Sequence, residues 1–207
     1  MSLSSQPVLL VVRPQEMDLN LESGESPLIQ CLEPLHASGL LHVEVAWSDH
    51  PGWMGFIKAL QRRCPGFLLG AASVVHQGAL AQIRSLGLSY AMAPVWNPEL
   101  QQIARQQGQL LVPGVFSPSE VMQAIGADYR IVKLFPAADL GCQYWGRLRA
   151  PLGSLPFVIA AGGLGFKDVS SWLESGHGAV ALGRSAIQSD GVDPALLHWL
   201  RRSTSRT

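Results

Sequence analysis

The sequence predicts an α/β fold, a single (β/α)8 TIM barrel over residues 1–207, on three observations. Eight short runs are almost wholly apolar, helix-like stretches separate them, and glycines stand where those stretches end. Apolar runs that do not alternate imply strands buried on both faces, as in parallel sheets. In chain order the first four run over Val8–Val12, His42–Ala46, Phe67–Gly70 and Tyr90–Ala93. The last four are Leu110–Val112, Ile131–Phe135, Phe157–Ala161 and Ala179–Leu182. Between them Leu80, Ile83 and Leu86, or Val169, Trp172 and Leu173, fall at helical spacing. Gly39, Gly87, Gly108 and Gly176 are the expected left-handed stops. Eight strand–helix units of roughly 20–25 residues each suit a closed barrel. An open doubly wound sheet is the weaker alternative, because no dinucleotide fingerprint follows the first run.

Composition narrows the function. Hydrophobic residues make up 47% of the 207 and charged residues 14%, with a formal net charge of +0. That is ample core material, and it offers no clustered basic face for nucleic acid or an anionic membrane. Arg201, Arg202 and Arg206 read as a small solvated basic tail. Cys31, Cys64 and Cys142 are too widely spaced for a disulfide framework or a zinc site. No apolar run reaches the roughly 18 residues needed to span a bilayer, and no export signal is visible, so a cytoplasmic location is expected.

Polar residues at the C-terminal ends of barrel strands face the active site in this fold class. Lys133 interrupts the sixth apolar run, whereas the other two lysines, Lys58 and Lys167, lie in helix-like segments. An ammonium among Ile131, Val132, Leu134 and Phe135 is costly to bury without a partner and tends to lose its proton. A neutral amine in an apolar pocket is the nucleophile that carbonyl chemistry requires. The structural alternative is a buried ion pair or a snorkelling strand-end lysine. Glu44, inside the second run, is either that ion-pair partner or an acid/base group for the amine.

A further group of residues suits an anion. Gly162 and Gly163 follow the seventh run, and Gly183, Arg184 and Ser185 follow the eighth. Open backbone N–H groups there, with a helix start behind them, form the recurring phosphate site of such barrels. The plainer reading of Gly-Gly is a tight turn. Arg13 closes the first run and would hold a carboxylate bidentately if it faces the pocket. Ser73, Pro94 and Phe135 at other strand ends complete the expected substrate-binding set. Trp47, Trp53, Trp96 and Trp145 are candidates for apolar contact surface, but tryptophans are more often core or pocket wall, and the sequence assigns none of the four.

With Glu44, Ser73, Lys133 and two glycine loops in this order, the chain resembles the 2-keto-3-deoxy-6-phosphogluconate aldolase family. That family includes 4-hydroxy-2-oxoglutarate aldolases and a 2-keto-3-deoxy-6-phosphogalactonate branch. Val132-Lys133-Leu134-Phe135-Pro136-Ala137 is similar to its Schiff-base segment, and Val43-Glu44-Val45 to the segment carrying its glutamate. Gly70-Ala71-Ala72-Ser73-Val74 resembles its Gly-Ala-Gly-Thr-Val turn, and Ala161-Gly162-Gly163 its Thr-Gly-Gly phosphate loop. Pro113-Gly114-Val115 is similar to the stretch that leads to the lysine strand. Many members carry an arginine where this chain has Ser48; in the phosphogalactonate branch an arginine ends the first strand instead, as Arg13 does. Ala161 stands for a threonine and Arg184 for a glycine.

The resemblance implies a class I (Schiff-base) aldolase with no cofactor and no metal, acting on a small keto sugar acid and releasing pyruvate. It also implies a homotrimer. Two other readings stand beside it. One is a phosphate-binding barrel enzyme without iminium chemistry; the other is a non-catalytic keto-acid-binding descendant, motivated by Ser48 and Ala161.

Overall fold

A computed structural model describes residues 2–20, 26–188 and 191–204. Its parallel strands are β1 (Val8–Val12), β2 (His42–Ala46), β3 (Leu68–Ala72), β4 (Tyr90–Met92), β5 (Leu111–Val112) and β6 (Gly114–Val115). They continue with β7 (Ile131–Leu134), β8 (Phe157–Ala161) and β9 (Ala179–Leu182). The order is β5-β4-β3-β2-β1-β9-β8-β7-β6. Strands β5 and β6 are two halves of one stave, so the ring is a nearly closed, TIM-like parallel β/α barrel. The fifth run, expected as a strand over Leu110–Val112, is a strand over Leu111–Val112, and the pairing resumes beyond it at Gly114–Val115. Pro113 has no N–H to give the ladder, so the stave breaks at it. Its carbonyl still accepts from the Lys133 amide at 2.9 Å.

Helices α1 (Glu16–Leu19), α2 (Pro27–Ala37), α3 (Trp53–Arg63), α4 (Gln77–Ser85) and α5 (Pro98–Gln106) follow the first four strands. After them come α6 (Pro118–Gly126), α7 (Tyr144–Leu152), α8 (Val169–Glu174) and α9 (Pro194–Thr204). A short antiparallel pair, β10 (Ile187–Gln188) and β11 (Gly191–Val192), precedes α9. Local signals agree with this layout. Ser117 accepts from the Glu120 amide while Glu120 accepts from Ser117, a reciprocal cap that starts α6. The four glycines expected to stop helices all have positive φ. Arg201 and Arg202 are exposed near the end of α9, and Arg206 lies outside the described residues.

Alternation along the strands divides the core in two. Val8, Leu10, Val43, Val45, Val132, Leu134, Val158 and Val180 face the helices and join Trp53, Phe56 and Trp145 in the larger cluster. Trp47 and Trp96 pack against the same cluster. Leu9, Tyr90, Met92, Val112, Ile159, Ala179 and Ala181 fill the barrel, with Leu3 sealing its N-terminal end at 2% exposure. Among the described residues no helix is long and apolar enough to cross a membrane.

Candidate active site

Side chains two residues apart on a strand share a face, so the inward row of each strand climbs toward the barrel's C-terminal mouth. Low in the barrel that row is large and apolar, as in Leu9 and Ile159. Near the mouth it shrinks to Ala46, Ala161, Ala181 and Gly183, which leaves a cavity of about 640 Å³. Into it face Arg13, Ser73, Pro94, Lys133, Phe135, Gly162, Gly163, Gly183 and Arg184.

Lys133, on β7, is 5% exposed and lines the cavity floor. Its Nζ lies 3.9 Å from Glu44 Oε2 and 5.6 Å from the centre of the Phe135 ring. Glu44, on β2, is fully buried beneath the cavity rather than in its wall. Neither carboxylate oxygen has a hydrogen-bond partner. Burial pushes the Glu44 carboxyl up to about 7, against the lowering pull of Lys133. A carboxyl near neutrality next to an amine exchanges protons readily.

Arg13 Nη2 donates to Ser73 Oγ at 3.1 Å, so β1 and β3 present a joint donor pair on one rim. Ser73 has φ 58, a left-handed conformation unusual for serine, and that backbone turn carries its hydroxyl to the mouth. Gly162 and Gly163 have φ of 96 and 80. A Cβ at Gly163 would stand 2.7 Å from Ala138 Cβ, so this loop excludes side chains and leaves its backbone open to the cavity. Arg184 is exposed at the same rim, on the chain that leaves β9.

Two expected residues sit otherwise. Ser185 does not line the cavity, and its hydroxyl donates to the Leu164 carbonyl at 3.0 Å. Glu44 reaches the chemistry only through the floor. Sequence reasoning missed Gln15, Leu28 and Ile187 in the wall. Gln15, before α1, and Leu28, in the first turn of α2, are placed by buried Asp18, which accepts from Ser26 Oγ at 2.6 Å and from the Leu28 and Gln15 amides, while Ile187 opens β10. Ala46, Ala161 and Ala181 carried a findable signal: each stands at the inward-facing end of its strand.

Residues 18–195 match the model of the aldolase family described as KDPG and KHG aldolase. The chain belongs to that family. KDPG and KHG stand for 2-keto-3-deoxy-6-phosphogluconate and 4-hydroxy-2-oxoglutarate. The KDPG-type family is one of class I aldolases, which are lyases. Among relatives, a probable 2-dehydro-3-deoxy-6-phosphogalactonate aldolase of Rhizobium meliloti is 25% identical over 72% of this chain and 70% of its own length. A 2-dehydro-3-deoxy-phosphogluconate aldolase of Pseudomonas aeruginosa is 29% identical over 72% and 67%. The match to one from Pseudoalteromonas atlantica, 31% identical, spans only 52% of this chain and 49% of that relative. The KDPG aldolase of Zymomonas mobilis, solved with 3-phosphoglycerate, superposes with TM-score 0.77 at 23% identity over 100% of this chain and 95% of its own. The Legionella pneumophila KDPG aldolase, solved with pyruvate as a covalent carbinolamine, superposes with TM-score 0.73 at 25% identity, over 96% and 91%.

Proposed function

We propose that this KDPG-type aldolase reversibly cleaves a 2-keto-3-deoxy-6-phospho sugar acid, of phosphogluconate or phosphogalactonate type, to pyruvate and glyceraldehyde 3-phosphate. Cleavage of 4-hydroxy-2-oxoglutarate to pyruvate and glyoxylate is a related activity of the same site. The observation that carries this reading is the Lys133–Glu44 pair, 3.9 Å apart at the base of a cavity with cationic groups on its rim.

Lys133 Nζ attacks the C2 ketone, and the carbinolamine loses water with Glu44 managing the protons. The resulting iminium is the electron sink. Glu44, through a water, takes the proton from the C4 hydroxyl. The C3–C4 bond breaks, its electron pair passes into an enamine, and the aldehyde departs. Glu44 returns a proton to C3, and water hydrolyses the iminium to pyruvate and the free amine. No cofactor is needed, because the lysine supplies the electronic work. Arg13 and Ser73 hold the substrate carboxylate, flanked by Pro94 and Phe135. The Gly162–Gly163 loop, Gly183 and Arg184 hold the phosphate; Ser185 supports that rim through its bond to Leu164. A homotrimer in the cytoplasm completes the reading. Val95, Phe116 and Met122, exposed apolar side chains of neighbouring barrel units, are surface such an assembly would cover.

Borohydride reduction in the presence of pyruvate tests the reading. The expected result is irreversible mass addition at Lys133 and loss of turnover in Lys133→Ala. A Lys133→Ala protein cleaving at the wild-type rate excludes the mechanism. A panel of the three substrates, and light scattering, decide the sugar acid and the assembly.

A further inference from the structure

Below the cavity floor one polar group has no place in the mechanism just given. Tyr90, on β4, is 1% exposed and lies within the barrel's interior cluster. Its phenol oxygen makes no hydrogen bond. The sheet register explains where the ring points. Glu44 on β2 is the partner of Gly70 on β3, and Gly70 is the partner of Tyr90 on β4. A Cβ at Gly70 would stand 2.4 Å from Tyr90 Cε2 and 2.5 Å from Cζ. The tip of the ring therefore occupies the space that the missing Gly70 side chain leaves. Its hydroxyl, carried on Cζ, extends over β3 in the direction of β2, where both Glu44 oxygens also lack partners.

An apolar barrel core would be served better by phenylalanine, since a buried hydroxyl without a partner is costly. We propose that Tyr90 is a positioning residue for Glu44, its hydroxyl donating through one bound water to the carboxylate while Glu44 is ionised. One such water would satisfy both of these buried, unpartnered polar groups, which stand on either side of a glycine. Burial first, and then the Glu44 charge, push the Tyr90 phenol well above its ordinary range, so it remains a donor rather than an ion. Among the described residues, Lys133 from β7 faces Glu44, and His42, two residues earlier on β2, shares its strand face. Val11 and Gly70, the register partners of Glu44, carry no charge.

The inference rests on the proposed use of Glu44 as proton carrier, and the experiment separates the two. Tyr90→Phe keeps the ring and removes the donor, which disfavours the ionised carboxylate and raises its pKa. The acid limb of the kcat/KM–pH profile then moves up by about one unit. Cleavage at pH near 6 falls roughly tenfold, cleavage near pH 9 is unchanged, and KM holds because Tyr90 does not line the cavity. Replacing Tyr90 with 3-fluorotyrosine, a stronger donor, moves the limb the opposite way, which a role in packing alone would not do. Borohydride trapping of pyruvate on the Tyr90→Phe protein verifies that its site is assembled. If trapping persists and the profile superposes on wild type, Tyr90 only fills the core and the inference is overturned. If the wild-type protein itself fails to trap pyruvate at Lys133, the proposed function falls and the inference with it.

Discussion

At the scale of the residue, the site is defined by a carboxyl held where it would rather keep its proton. Glu44 has its pKa raised from 4.5 to about 7, chiefly by burial. The folded state therefore binds a proton that the unfolded chain releases between those values, and its stability declines as pH rises through that window. Glutamine cannot titrate. The stability of Glu44→Gln relative to wild type should accordingly improve between pH 5 and 8, by up to about 3 kcal/mol, measured by chemical denaturation at both pH values. A difference that stays flat across that range would mean the carboxyl is ionised in the fold throughout. Lys133 and Glu44 were legible in the sequence because a charge within an apolar strand is conspicuous. Tyr90 was not, because an aromatic at the start of a strand reads as ordinary core. Ser185 differs, because only three-dimensional packing decides whether its hydroxyl meets a ligand or the Leu164 carbonyl to which it donates here.

At the scale of the element, the fifth stave is where pattern and structure part. Four strands, those beginning at Val8, His42, Phe157 and Ala179, run over the residues their apolar runs indicate. The fifth run is short and meets Pro113, and a periodicity argument has no means of seeing that pairing resumes on the far side of a proline. Resumption depends on Gly114. A Cβ there would stand 2.3 Å from the Pro94 carbonyl carbon, and backbone cannot yield as a flexible side chain would. Gly114 is also the register partner of Lys133. Gly114→Ala should therefore cost about 1–3 kcal/mol of stability, read as a lower midpoint in a denaturant titration, and lower kcat as β7 shifts. Unchanged stability would show that the stave tolerates separation from Pro94.

At the scale of the whole molecule, the fold was largely readable because a parallel barrel writes its strands as uninterrupted apolar runs. The depth order of the site was not readable, since it comes from how eight strands are staggered around one axis. That order has a kinetic meaning. Leu3 closes the lower end of the interior cluster, so among the described residues the cavity opens at the C-terminal mouth. In the proposed reaction the three-carbon acid is tethered to Lys133 at the cavity floor, and the fragment freed by bond cleavage lies on the side of the mouth. Departure is then a queue: the aldehyde must go first and pyruvate last. Product-inhibition patterns test this, with pyruvate competitive against the sugar acid and the aldehyde giving mixed inhibition. Competition by the aldehyde alone would require a second exit that the closed lower end does not provide.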